Sequence, residues 1–120
     1  MATAKQVYLA KKLEEKYGAI GSVAGRYLEA GLSIEIKHPT RYGPIHIVAR
    51  GGKSIYAIEV VDKPEKLSLD VIRNLVEKAK TIKAKPILVL YSNAISISDE
   101  IYKFCIDNGI KIKLFRSGRK

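Results

Sequence analysis

A chain of 120 residues with 47% hydrophobic side chains is long enough for one buried core and too apolar to be disordered. Its 22 Lys and Arg against 12 Asp and Glu give a formal charge of +10. So large a cationic excess opposes compaction, and a polyanion offsets it, so nucleic acid is the expected partner.

The single cysteine excludes an internal disulfide. No apolar run approaches the roughly 20 residues that span a bilayer, and the first six residues have no signal-type apolar core. Together these predict a cytoplasmic chain with no membrane partner. Abundant Lys, Ile and Glu, a single glutamine at Gln6 and no Trp suggest an archaeal, thermophilic source.

Residues 5–17 read as a helix, with Leu9, Leu13 and Tyr17 at helical spacing and Gly18 as its stop. Residues 22–30 read as a second, capped by Ser22, striped by Val23, Tyr27 and Leu28, and closed by Gly31. Gly18, Gly21 and Gly25 leave one bent helix as the alternative. Three strands follow. Leu32 to Ile36 alternates, Ile45 to Val48 does so less cleanly, and Ser54 to Val61 is rich in Ile and Val behind the turn pair Gly51-Gly52. Pro39 and Pro44 bracket a loop that holds Arg41 and Tyr42.

Ser68 opens a helix of about four turns, on which Ile72, Leu75, Val76, Ala79 and Ile82 face one way. Pro86 to Tyr91 is the continuous apolar run of a strand covered on both faces. Ser98 caps a further helix, with Asp99 and Glu100 in its first turn and Asn108-Gly109 at its end. Within it Cys105 reads as a buried packing thiol. Ile110 to Leu114 alternates as the last strand, with a basic polar face. Residues 1–4 and 116–120 are expected to fray, and 1–120 to form a single domain.

The order predicts an α/β fold: an antiparallel meander leading into crossovers with parallel pairing. With Gly43-Pro44-Ile45-His46-Ile47-Val48-Ala49, Gly51-Gly52 and Ile55-Tyr56-Ala57-Ile58-Glu59-Val60-Val61, it resembles the PD-(D/E)XK, or restriction-endonuclease-like, nucleases. The resemblance implies a three-layer α-β-α fold around a mixed central sheet. In an active member it implies Mg²⁺ held by an Asp on one strand and a Glu or Asp on the next, with a Lys two residues on.

Glu59 matches the second acid. His46 stands where the Asp belongs and Val61 where the Lys belongs, so the hydrolytic site looks degenerate and no metal set is expected. Imidazole is a poor ligand for Mg²⁺ and valine carries no charge. Lys63, one pleat beyond Val61, would return to the Glu59 face. Lys78 or Lys80 on the following helix, and Glu14 or Glu15 on the first, are further stand-ins.

A second resemblance, on Arg41-Tyr42-Gly43, Ser54 to Val60 and Ala79 to Leu90, is to the catalytic domain of archaeal tRNA-splicing endonucleases. The Tyr and His positions of that family fall near Ala49 and Gly52 here, which implies a non-catalytic subunit, and Ser98 to Phe115 fits that family poorly. Gly18, Gly21 and Gly25 do not form a phosphate loop. His38, His46 and Cys105 make no zinc pattern, and Ser22 has no triad partners.

The expected phosphate contacts are Lys37, Arg41, Arg50, Lys53, Lys78, Lys80, Lys83, Lys85, Lys111, Lys113 and Arg116, assembled on one face, with Tyr42 stacking on a base. The function predicted is a nucleic-acid-binding protein of nuclease fold, weakly active or inactive, serving as an accessory subunit in DNA or RNA processing. It would act as a homodimer or with a catalytic subunit, and Tyr102, Phe104 and Phe115 are candidates for an apolar contact. The alternative is an active Mg²⁺-dependent enzyme such as a junction resolvase.

Overall fold

The computed structural model describes residues 3–92 and 94–115. The first helix, α1 (Ala4–Tyr17), starts from a reciprocal cap. The Thr3 hydroxyl accepts from the Gln6 backbone N–H at 3.1 Å, and the Gln6 side chain accepts from the Thr3 N–H at 2.8 Å. Of the residues expected to fray, Thr3 forms this cap and Ala4 opens the helix, whereas Met1, Ala2 and the tail 116–120 lie outside the described residues.

Helix α2 (Ala19–Glu29) begins three residues before the expected Ser22 cap. One residue makes the corner: Gly18 at φ 63°, in the left-handed region that favours glycine. Gly21 and Gly25 are contact points rather than breakers. A Cβ on Gly21 would lie 1.8 Å from the Leu13 carbonyl oxygen, and one on Gly25 would lie 2.9 Å from the Ala10 Cβ. The two helices pack backbone to backbone because these side chains are absent.

The sheet runs β1 (Ser33–His38), β2 (Ile45–Gly51), β3 (Ser54–Val61), β4 (Lys85–Leu90), β5 (Lys111–Leu114), in that spatial order. The first three strands are antiparallel, and β3, β4 and β5 are parallel to one another. Helix α3 (Leu69–Thr81) crosses from β3 to β4 after a short 3-10 turn (Pro64–Lys66), and α4 (Asp99–Asp107) crosses from β4 to β5. Both expected caps form: Ser68 and Ser98 accept from the N–H groups of Val71 and Ile101, each at 3.2 Å.

Alternation along the strands divides the apolar side chains between two faces. Ile47, Ala49, Ile58, Val60, Ile87 and Val89 pack with Val23 and Ala24 of α2. Val48, Ala57, Val61, Leu88 and Leu90 pack with Ile72, Leu75 and Ala79 of α3 and Cys105 of α4. The result is the expected three-layer α-β-α arrangement around a mixed sheet. Cys105 is fully buried, as expected, and burial pushes its thiol pKa up.

Candidate functional site

Glu59 lies between Ile58 and Val60 on β3, so the pleat turns it toward α3. It is 7% exposed, and Lys78 of α3, 8% exposed, reaches it from above the sheet. The Lys78 Nζ stands 3.6 Å from Glu59 Oε1 and donates to the Pro44 carbonyl at 2.9 Å. One ammonium thus joins α3, β3 and the start of β2. One turn earlier, Asn74 donates to the Tyr42 carbonyl at 3.0 Å. Asn74 and Lys78 are i and i+4 on one helix face, and they pin the β1–β2 loop.

His46 completes the cluster. Continued one step, the β2–β3 register would place it opposite Glu59, but the ladder stops at Ile47 and Ile58. The Val60 N–H donates instead to His46 Nδ1 at 3.0 Å. An accepting Nδ1 puts the neutral ring's proton on Nε2, which lies 3.5 Å from Glu59 Oε2. Burial lowers the His46 pKa. The Glu59 charge opposes that shift, while Lys78, Lys37 and Lys66 reinforce it. Lys37, across the β1–β2 pair from His46, takes a left-handed φ of 56°, so both strands are distorted at this point.

An open depression of about 480 Å³ adjoins the cluster, lined by His46, Glu59, Asp62, Lys66, Ser68 and Val71 among others. A hard divalent cation needs several oxygens directed to one point, and the lining offers the carboxylates of Glu59, Asp62 and Glu65. Glu59 Oε1 is buried without a hydrogen-bond partner, with the Lys78 Nζ at 3.6 Å, and Oε2 lies 3.5 Å from the imidazole Nε2. Asp62 is engaged by Lys66 at 2.9 Å, and Val61 is buried and apolar. Among the described residues, no three His, Cys, Asp or Glu side chains gather as a metal site would require.

The other expected site residues fall as follows. Strand β3 ends at Val61, and Lys63 follows two residues on, exposed at a bend with extended backbone. Glu14 and Glu15 are exposed on α1, which packs on α2 in the layer opposite Glu59, and Glu15 lies 3.8 Å from Lys12.

Lys78 leaves the set of surface phosphate contacts because it is buried. Its spacing carried that signal: it lies three residues past Leu75 and beside Ala79, on the edge of the buried stripe. Arg50 pairs with Glu35 at 3.4 Å and Lys80 with Glu77 at 3.7 Å. Lys113 lies over the Tyr27 ring at 5.3 Å. Lys37, Arg41, Lys53, Lys83, Lys85 and Lys111 are exposed and stand outside the ion pairs of the described residues. Arg116 lies outside the described residues.

Lys53 precedes β3, and Lys85 and Lys111 open β4 and β5; the register staggers them, with Lys85 level with Tyr56 and Lys111 level with Ile58, one residue short of Glu59. Lys37 and Lys66 act on His46 through their charge.

Solved structures share this architecture. A repair endonuclease from Pyrococcus abyssi matches with a TM-score of 0.62 at 14% identity, over 97% of this chain and 48% of its own. EndoMS in complex with double-stranded DNA matches with a TM-score of 0.59 at 13% identity, over 100% of this chain and 48% of its own. SfsA of Pyrococcus furiosus, solved in complex with Ca²⁺, matches with a TM-score of 0.56 at 18% identity, over 91% of this chain and 57% of its own. The fold is restriction-endonuclease-like. The chain spans about half the length of the solved structures it matches. No family model matches the sequence, and no curated protein is similar to it.

Proposed function

We propose that this chain is a nucleic-acid-binding domain of nuclease fold, in which a Lys78–Glu59–His46 cluster replaces the hydrolytic centre. The observation that carries this reading is the pairing of Glu59 with a buried ammonium. In the resemblance to PD-(D/E)XK nucleases, that carboxylate would hold the ion that activates water and offsets charge on the phosphate. Here its negative charge is offset within the protein by Lys78. Val61 takes the place of the motif lysine, and Lys78, the stand-in expected on the following helix, reaches Glu59 and pairs with it. Binding without cutting suits an accessory subunit that works beside a catalytic chain, or as a homodimer.

The net charge of +10 and the exposed Lys37, Lys53, Lys83, Lys85 and Lys111 support binding through phosphates, with counterion release and little sequence preference. Fluorescence anisotropy with labelled duplex, branched and single-stranded oligonucleotides, over a salt series, tests this. The reading expects affinity that falls steeply and log-linearly with salt. Absence of binding at low salt would refute it.

The rival is a Mg²⁺-dependent endonuclease of junction-resolvase type. It draws on the depression, where Asp62 and Glu65 join Glu59 on the lining. The reading as a splicing-endonuclease subunit has less support, because α4 and β5 occupy the segment that fitted that family poorly.

A further inference from the structure

The loop between β1 and β2 is built, not slack. The Thr40 hydroxyl donates to the Gly43 carbonyl at 2.6 Å and accepts from the Tyr42 N–H at 3.1 Å. Asn74 holds the Tyr42 carbonyl, and Lys78 holds that of Pro44. Gly43 makes the turn at φ 107°. All this backbone fixing presents two side chains to solvent, Arg41 and Tyr42, with the guanidinium 5.7 Å from the ring centre. Tyr42 is 38% exposed. An aromatic whose backbone is already ordered binds without the entropic cost of ordering a loop.

Tyr42 borders an open groove of about 540 Å³ between the loop, α3 and α4. Phe104 lies in the same groove, with the Arg73 guanidinium 6.0 Å from its ring centre. The groove's charges cancel: Arg73 lies 3.7 Å from Asp70, and Lys80 lies 3.7 Å from Glu77. A phosphate gains little from a neutral groove, whereas an uncharged π-face gains from two aromatic rings. Arg41 borders a separate groove with His38 and Thr81, so a cation stands beside the aromatic site without filling it.

We infer that the groove takes an unpaired nucleobase stacked on Tyr42, with the adjoining phosphate on Arg41. The inference rests on the nucleic-acid-binding reading and narrows it to strands with an unpaired base, at a single-stranded stretch, an end or a branch. Tyr42 is the specificity-determining contact.

The test compares a fluorescein-labelled single-stranded DNA 12-mer with a blunt duplex of the same length, by anisotropy across a salt series. Tyr42→Ala should weaken the single strand roughly ten-fold or more while leaving the duplex nearly unchanged and the salt slope intact, because stacking releases no counterion. Tyr42→Phe, which keeps the ring, should retain wild-type affinity. Arg41→Ala should lower the slope on the single strand by about one. Equal losses on both probes in Tyr42→Ala, or no loss, would overturn the inference while leaving general binding standing. No binding of either probe by the wild-type chain would remove both readings together.

Discussion

Removing two ions from water costs roughly several kcal/mol for each, and at the Glu59–Lys78 pair that cost is recovered only while both partners are present. Lys78→Met should therefore destabilise the fold by about 3–5 kcal/mol, read from urea denaturation, because the buried Glu59 carboxylate loses its counterion. A double variant, Glu59→Leu with Lys78→Met, should regain most of that loss, since a buried ion pair is often no more stable than an apolar pair of similar volume. If the double variant is as unstable as the single, the Lys78 defect has another origin.

His46 gives a separate pH signature. Its folded pKa lies below the ordinary 6.5 because of burial, so in the window just below 6.5 the unfolded chain binds a proton that the folded chain does not. Stability is fully present above 6.5 and falls as the pH drops toward the folded pKa, then levels. A protonated ring could not accept the Val60 N–H, which acts in the same direction. Two carboxylates act at lower pH. Glu35, held down mainly by its hydrogen bond from His38, and Asp62, held down mainly by Lys66, lose their contributions as pH falls below the ordinary 4.5 and 3.8 and through their lower folded values. His46→Gln should flatten the upper limb of a stability-against-pH curve and leave the lower one in place.

Glu59 and His46 were legible in the sequence because a strand motif names them. Lys78 was only half legible. Helical spacing gave its side of α3, but its partners, Glu59 and the Pro44 carbonyl, are 19 and 34 residues away, and only the folded chain brings them together.

At the scale of elements, period and caps carried most of the fold. Thr3, Ser68 and Ser98 show where sequence rules succeed and where they need a second residue. Ser68 and Ser98 lie before clear apolar stripes. Thr3 acts through Gln6, so its cap was missed when residues 1–4 were read as a tail. Gly21 and Gly25 leave the course of α2 open in the sequence for a physical reason: low helix propensity and close packing select the same residue type, and only the partner helix distinguishes them. Gly21→Ala should push α1 off α2, because the new methyl would occupy the Leu13 carbonyl. The expected cost is about 1–3 kcal/mol in thermal or urea denaturation. Gly25→Ala should cost less, since its methyl would come no closer than 2.9 Å to Ala10. Lys53, Lys85 and Lys111 stand at the starts of strands that pair in parallel.

For the whole molecule, the proposed binding draws on a charge of +10 through several separate phosphate contacts. Each exposed lysine removed at the starts of β3, β4 and β5 should then reduce the salt slope by about one unit, with little change in sequence preference. The most direct test of the central claim reads binding and scission on one sample. Labelled duplex, branched and single-stranded DNA or RNA would be held at saturating protein with Mg²⁺ or Mn²⁺, with anisotropy recorded before the strands are run on a denaturing gel. The account expects bound strands that remain intact. Metal-dependent scission that Glu59→Ala abolishes would contradict it.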